Sequence, residues 1–174
     1  MKKLFLILIF TLSAFHYASA QLPLPSVSLE RHNGEPIDAA SLADGEIPTV
    51  MYFWFYENCR PCILGLGWIY EAMPGWLNEA DFRMVAVSID NSESLDKAKA
   101  IVEEKGWSSR ITFVYDVNHE LADTLGLNGG PASLVVDKNG IMHPCTFGFE
   151  KENGIVVGVY EDKIFEKIKE LAAE

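Results

Sequence analysis

The sequence is short of cations, of metal-ligand sets and of long apolar runs, and each shortage removes a class of function. Fourteen lysines and arginines stand against 25 acidic residues in a chain of 174, a net charge of −11. So acidic a chain lacks the basic surface that neutralises phosphates, and nucleic acid is not expected as a partner. Histidine is rare, and His143 has no neighbouring ligand set, so no metal site is expected. There is no internal repeat and no low-complexity tract. The apolar run Leu4 to Leu12 is too short for a comfortable membrane span of about 20 residues.

That run is flanked by Lys2-Lys3 on one side and Ala18-Ser19-Ala20 on the other. A charged start, a short apolar stretch and a small-residue site have the pattern of a cleavable signal peptide over residues 1–20. The alternative is an uncleaved anchor. No cysteine follows the cleavage site, which argues against a lipoprotein. The expected mature chain, 21–174, is one domain of ordinary size, exported and with no membrane span of its own. Without Lys2 and Lys3 the cations fall to 12 against 25 acidic residues, a net charge of −13. The expected location is the periplasm or another extracytoplasmic space, where disulfides persist.

The most informative residues are Cys59-Arg60-Pro61-Cys62, directly after the apolar run Val50 to Phe55. Two cysteines with two residues between them, where a strand meets a helix, have the spacing of a redox couple. A helix N-terminus favours a thiolate, because free N–H groups and the helix dipole stabilise negative charge there. A disulfide closing so short a loop adds little chain-entropy stabilisation, so a purely structural role fits poorly. Zinc is the other structural alternative, but a closed zinc site needs four ligands and this motif supplies two.

Val27 to Arg31 reads as a short strand, followed by the turn Asn33-Gly34. Pro36 to Glu46 is polar with scattered apolar positions, and Thr49 to Phe55 has the continuous apolarity of a strand buried on both faces. A helix is expected from Pro61, weakened by Gly65 and Gly67 and ended or kinked at Pro74-Gly75. Arg83 to Ile89 is a second buried strand. Ser94 is the expected N-cap of a helix through Lys105 that stops at Gly106. Ile111 to Tyr115 is a third strand, and Asp116 or Asn118 is expected to cap a short helix ending at Gly126. The strand Ser133 to Val136, a turn at Lys138-Asn139-Gly140 and a returning strand from Ile141 to Phe149 follow. A last helix carries Ile164, Phe165, Ile168 and Leu171 on one face. Alternating strands and helices ending in a hairpin give an α/β fold: a mixed central sheet with helices on both faces. The motif then falls at the carboxyl end of a buried strand, where open α/β sheets place their sites.

Three blocks of this chain resemble the thioredoxin superfamily, and within it the exported TlpA/ResA-like thiol–disulfide oxidoreductases. They are the strand with Cys59-Arg60-Pro61-Cys62, then Val85 to Asp90 with its following helix, and Leu127 to Gly140 around Gly130-Pro131. The likeness covers nearly the whole mature domain. It implies a thioredoxin-like three-layer fold in which the second block is an inserted strand–helix segment. It also implies that Pro131 is cis and lies beside the active-site disulfide. Several positions depart from the family pattern. Asn58 stands where a tryptophan is common, and Gly65 where a glutamate often follows the second cysteine. Phe53 is the ungapped match to a buried aspartate, and Trp54 lies one residue farther from Cys59 than the family's strand tryptophan.

Helix position and the resemblance make Cys59 the attacking thiolate and Cys62 the buried resolving thiol, with no cofactor beyond their disulfide. Arg60 adds positive charge beside Cys59, and Pro61 suits a first helical turn, where its missing N–H costs nothing. Glu57 is the nearest carboxylate, a candidate base that equally opposes a thiolate. Tyr56 is either a hydrogen-bond partner of a sulfur or a packing aromatic. Cys145 reads as a buried inert thiol, with a resolving role as the alternative. The function implied is exchange with cysteines of client proteins, as a reductase of the kind that serves cytochrome c maturation, recharged by a membrane thiol carrier. A thiol peroxidase is the second reading. Peroxidatic cysteines have a threonine three residues earlier, and Tyr56 occupies that position. A thioredoxin-like binding module with weak redox activity is the third.

Overall fold

A computed structural model of the chain describes residues 22–43, 45–127, 129–145, 149–152, 155–159 and 162–173. The expected signal peptide lies outside the described residues, as do Asp44 and Asn128. Nine strands and four α-helices follow in the order β1 (Ser28–Arg31), β2 (Pro36–Asp38), β3 (Thr49–Trp54), α1 (Arg60–Leu77), β4 (Arg83–Ser88), α2 (Leu95–Lys105), β5 (Thr112–Tyr115), α3 (Glu120–Thr124), β6 (Ala132–Val136), β7 (Met142–Cys145), β8 (Phe149–Glu152), β9 (Ile155–Val159) and α4 (Asp162–Ala172). Seven strands form one mixed sheet in the order β2-β1-β5-β4-β3-β6-β7, and β8 pairs with β9 separately. The three central strands are parallel, with Tyr52 opposite Ala86 and Val87 opposite Val114. β6 runs antiparallel to β3, with Tyr52 opposite Ser133.

Every residue of β3 is buried, as the unbroken apolar run predicts. Alternate residues divide between two cores. Val50, Tyr52 and Trp54 face Leu66 and Ile69 of α1, Ala98 and Val102 of α2, and Ile164 and Ile168 of α4. Met51 and Phe53 face Leu29, Leu42 and Leu121 on the other side. Two successive crossovers of the same hand, β3-α1-β4 and β4-α2-β5, place α1 and α2 on one face. The 3₁₀ turn Ala39–Leu42 and α3 cover the other, which completes the expected three-layer fold.

Several local expectations are corrected. Pro74 does not end α1, which runs to Leu77. A proline there strips the Tyr70 carbonyl of its usual N–H donor, and the Arg110 guanidinium donates to that oxygen instead at 3.3 Å. The same guanidinium lies 4.5 Å over the Tyr70 ring. The extra turn delivers Trp76 to the core, stacked on Phe165 at 5.3 Å. Ser94 holds the N-cap position of α2 as expected, but its hydroxyl makes no capping bond to the helix, and Asn91 Oδ1 accepts the Ser94 and Glu93 amides. Neither Asp116 nor Asn118 is the N-cap of α3. His119 holds that position at φ 60°, while Asp116 Oδ2 accepts the Ala122 amide at 2.8 Å. Of the strand expected over 141–149, Met142–Cys145 is β7 and Phe149 belongs to the β8–β9 pair, while 146–148 lie outside the described residues. β2 was not expected from its polar sequence; it pairs as a three-residue edge on β1.

The β6–β7 hairpin turns on one carboxylate. Asp137 Oδ1 accepts the Asn139 and Ile141 amides at 2.8 and 3.0 Å, and Oδ2 lies 3.0 Å from His143 Nε2. Burial pushes the Asp137 pKa up, but the bonds from His143, Ile141 and Asn139 outweigh it and hold the acid below its ordinary value. A carboxyl with a lowered folded pKa contributes stability that is present above its unfolded pKa of about 3.9 and lost as pH falls through the folded value. Asp137→Asn is therefore expected to lower the melting temperature at pH 7, with a loss of about 1–3 kcal/mol. The gap to the native chain should close as the melts are repeated toward pH 3.

Candidate active site

At the carboxyl end of β3 the chain leaves the sheet through Phe55 to Asn58 and enters α1. Asn58 takes φ 59°, a left-handed turn that asparagine tolerates better than most residues. It swings Cys59 onto the N-cap of α1, with Pro61 in the first turn as expected. Cys59 and Cys62 are joined by a disulfide of 2.06 Å, their Cα atoms 5.2 Å apart. The Cys62 amide donates to Cys59 Sγ at 3.2 Å, the bond a thiolate at this position would keep.

The two sulfurs have different surroundings. Cys59, 3% exposed, lines an open groove of about 640 Å³ with Tyr56, Glu57, Asn58, Arg60 and Ile63. Cys62 is fully buried and is not part of that groove. Behind it stands Gly130, whose peptide bond to Pro131 is cis. A Cβ on Gly130 would come within 3.1 Å of Cys62 Sγ and 3.2 Å of the Phe55 ring. The absent side chain lets the cis-proline loop lie against the couple, so the structure brings Cys59, Cys62, Gly130 and Pro131 together.

Glu57 is held in an ion pair. Lys97 of α2 holds its carboxylate at 2.8 Å, and that bond, with one from the Ser94 hydroxyl, keeps it below the ordinary carboxylate range. Arg60 is exposed on the groove wall. Tyr56 is 36% exposed, and its main-chain amide donates to the Asp90 carboxylate. Cys145 is on β7, a half-buried free thiol whose pKa burial pushes up. Its S–H points to the His143 carbonyl at 3.5 Å, which suits an inert cysteine. Among the described residues no group of three or more His, Cys, Asp or Glu is placed to hold a metal ion.

Two residues escaped the sequence reading. The first is Tyr52. Phe53, the ungapped match to the thioredoxin aspartate, faces the core opposite α1, whereas Tyr52 faces the couple. Its hydroxyl donates to the Cys62 carbonyl at 3.1 Å. A Cβ on Gly65 would fall 2.2 Å from that same hydroxyl, so Gly65 is bare because Tyr52 fills its space. The wider Trp54-to-Cys59 spacing was the signal: one extra residue in the loop shifts the match from Phe53 to Tyr52. Burial drives the Tyr52 pKa far above its ordinary value, so the group beneath Cys62 is a neutral donor rather than an acid. The second residue is Asp90, at the end of the β4 segment.

The mixed sheet, the cis-proline loop and a disulfide at the N-terminus of α1 define a thioredoxin-like thiol–disulfide oxidoreductase. Residues 20–144 match the model of the AhpC/TSA family, and the chain belongs to that family. It is similar to the solution structure of a thioredoxin-like protein from Porphyromonas gingivalis, with 29% identity over 87% of this chain and 92% of that one and a TM-score of 0.68. The thioredoxin domain of a thiol-disulfide oxidoreductase from Bacteroides vulgatus shares the fold at 17% identity, 87% and 96% coverage and a TM-score of 0.60. A putative thiol:disulfide interchange protein DsbE from Chlorobium tepidum shares it at 20% identity, 70% and 80% coverage and a TM-score of 0.56. No curated protein matches the chain.

Gly65→Ala forces a methyl into the Tyr52 hydroxyl. It should destabilise the protein by about 1–3 kcal/mol, as overpacking of a tight core does. Tyr52→Phe should recover part of that loss, since the ring carbon next in line lies 3.1 Å from the new Cβ. Denaturant unfolding of both single variants and the double variant measures the coupling.

Proposed function

We propose that this protein is an exported thiol–disulfide oxidoreductase of the TlpA/ResA-like kind that reduces disulfides of client proteins. The observation that carries the reading is the asymmetry of the couple: Cys59 opens on the groove at a helix N-terminus, and Cys62 is sealed behind it. In the reduced enzyme the Cys59 thiolate attacks one client sulfur, forms a mixed disulfide and expels the other client sulfur as a thiolate. Deprotonated Cys62 then attacks Cys59 Sγ, closing the Cys59–Cys62 disulfide and releasing the second client sulfur as a thiolate, which takes up a proton. Two electrons pass from the enzyme to the client. A membrane thiol carrier is the proposed source of the electrons that reset it.

Reductase direction is supported by the resemblance. The α1 N-terminus stabilises one thiolate, on Cys59. The side chain that reaches the Cys62 backbone is the neutral Tyr52 phenol, which adds no charge to the couple. The bonded Cys59–Cys62 pair also fits disulfide exchange better than peroxide reduction.

Insulin or client reduction driven by dithiothreitol should be lost in Cys59→Ser. Cys62→Ser should instead accumulate mixed disulfides with clients, visible on non-reducing gels. Full activity in Cys59→Ser would overturn the assignment, and fast peroxide consumption by the native protein would favour the peroxidase reading. Export has its own check. Expressed in a bacterial host with a C-terminal tag, the protein should be recovered outside the cytoplasm with Gln21 as its first residue by N-terminal sequencing.

A further inference from the structure

Asp90 ends the β4 segment, 4% exposed, and the exchange steps above give it no task. Its carboxylate is aimed at the main chain of the loop before Cys59. The Tyr56 amide donates to both oxygens, at 3.0 Å to Oδ1 and 2.9 Å to Oδ2, and the Glu57 amide bonds the carboxylate as well. Oδ2 also accepts the Ser88 hydroxyl at 2.9 Å, while Ser88 Oγ receives the Asp90 amide at 3.3 Å. Three donors converge on one side chain, and only a group that accepts without donating satisfies them all; an asparagine amide would turn its own N–H groups on them. The next residue of that loop is clasped from outside, where Lys97 and Ser94 of the α2 region hold the Glu57 carboxylate. Beyond Glu57 the chain turns at Asn58 and delivers Cys59 to the N-cap of α1.

We propose that Asp90 is a positioning residue for the attacking cysteine: by fixing the Tyr56 and Glu57 amides it sets where Cys59 Sγ stands over the N-terminus of α1, with Lys97–Glu57 as an outer clasp. The inserted strand–helix segment thereby acquires a job in the reaction. Burial of a carboxylate costs free energy and pushes its pKa up, and such a cost persists where the structure needs the acceptor. The charged and titratable groups facing Asp90 are Glu57 in the loop, with its partner Lys97 on α2, and Tyr115 on β5. His32, Lys99, Glu30 and Glu103 gather around Tyr115 in turn.

The inference rests on the exchange chemistry proposed above, yet its test does not need a client. Charge and position make opposite demands on Cys59. Removing the negative charge of Asp90 favours the thiolate and lowers the Cys59 pKa, whereas releasing the loop moves the sulfur off the helix end and raises it. In reduced Asp90→Asn, alkylation of Cys59 by iodoacetamide, followed from pH 5 to 10, should show the raised value. A rise of one unit corresponds to a roughly tenfold slower rate at pH values below both pKa values. Lys97→Met should shift the profile in the same direction by less. An unchanged or lowered Cys59 pKa in folded Asp90→Asn overturns the proposal. Hydrogen exchange on the native protein judges it even if that variant fails to fold. The Tyr56 and Glu57 amides should be protected like those of β3, and free exchange at either would sink the idea. A native protein that reduces no client would count against the proposed function alone.

Discussion

Everything in this molecule is referred to β3. Its six residues are buried on both faces and paired on both edges, so the strand has no freedom to slide, tilt or twist relative to either core. A one-residue slip would exchange the Tyr52 and Phe53 faces, driving a phenol hydroxyl into an apolar core and removing it from Cys62. The redox loop begins one residue beyond this strand. The position of the couple is thus inherited from the most constrained element of the fold, and the chemistry needs only a short turn to reach it.

Around that turn the chain uses carboxylates in two opposite ways. Glu57 sits at the surface, already matched by Lys97, and contributes charge neutrality at the groove edge. Asp90 is buried and bonded to main-chain amides, and contributes shape. Beneath Cys62 the Tyr52 hydroxyl fills the space that a side chain at position 65 would take. The couple therefore works with a helix end, one backbone amide and a neutral phenol nearest to it. Of the ionised groups, Arg60 and Glu57 stand on the groove wall with Cys59, and Asp90 lies behind the loop.

Much of this was legible in the sequence. The unbroken apolarity of Thr49 to Phe55 and Arg83 to Ile89 marked the central strands, and Gly106 and Gly126, both with positive φ, marked helix ends. Cys59, Cys62, Gly130 and Pro131, far apart in the sequence, are neighbours in the structure. What escaped was long-range hydrogen bonding. Nothing local in Ile89-Asp90-Asn91 says that the aspartate reaches back 34 residues to the Tyr56 amide. Likewise Pro74 reads as a break because its replacement donor, Arg110, comes from another element 40 residues on from the carbonyl it satisfies. Patterns of apolarity and turn chemistry report on neighbours along the chain; a partner supplied by the fold leaves no such trace.

Gly65 carries no side chain because the Tyr52 hydroxyl stands where one would begin. That close approach also governs which sequences can descend from this one. With the Tyr52 hydroxyl in place, any side chain at position 65 collides with it. With Tyr52 made small first, a void opens under the active-site helix before anything fills it. Each single step is penalised and only the pair can move freely, so the two positions should change together or not at all across related chains.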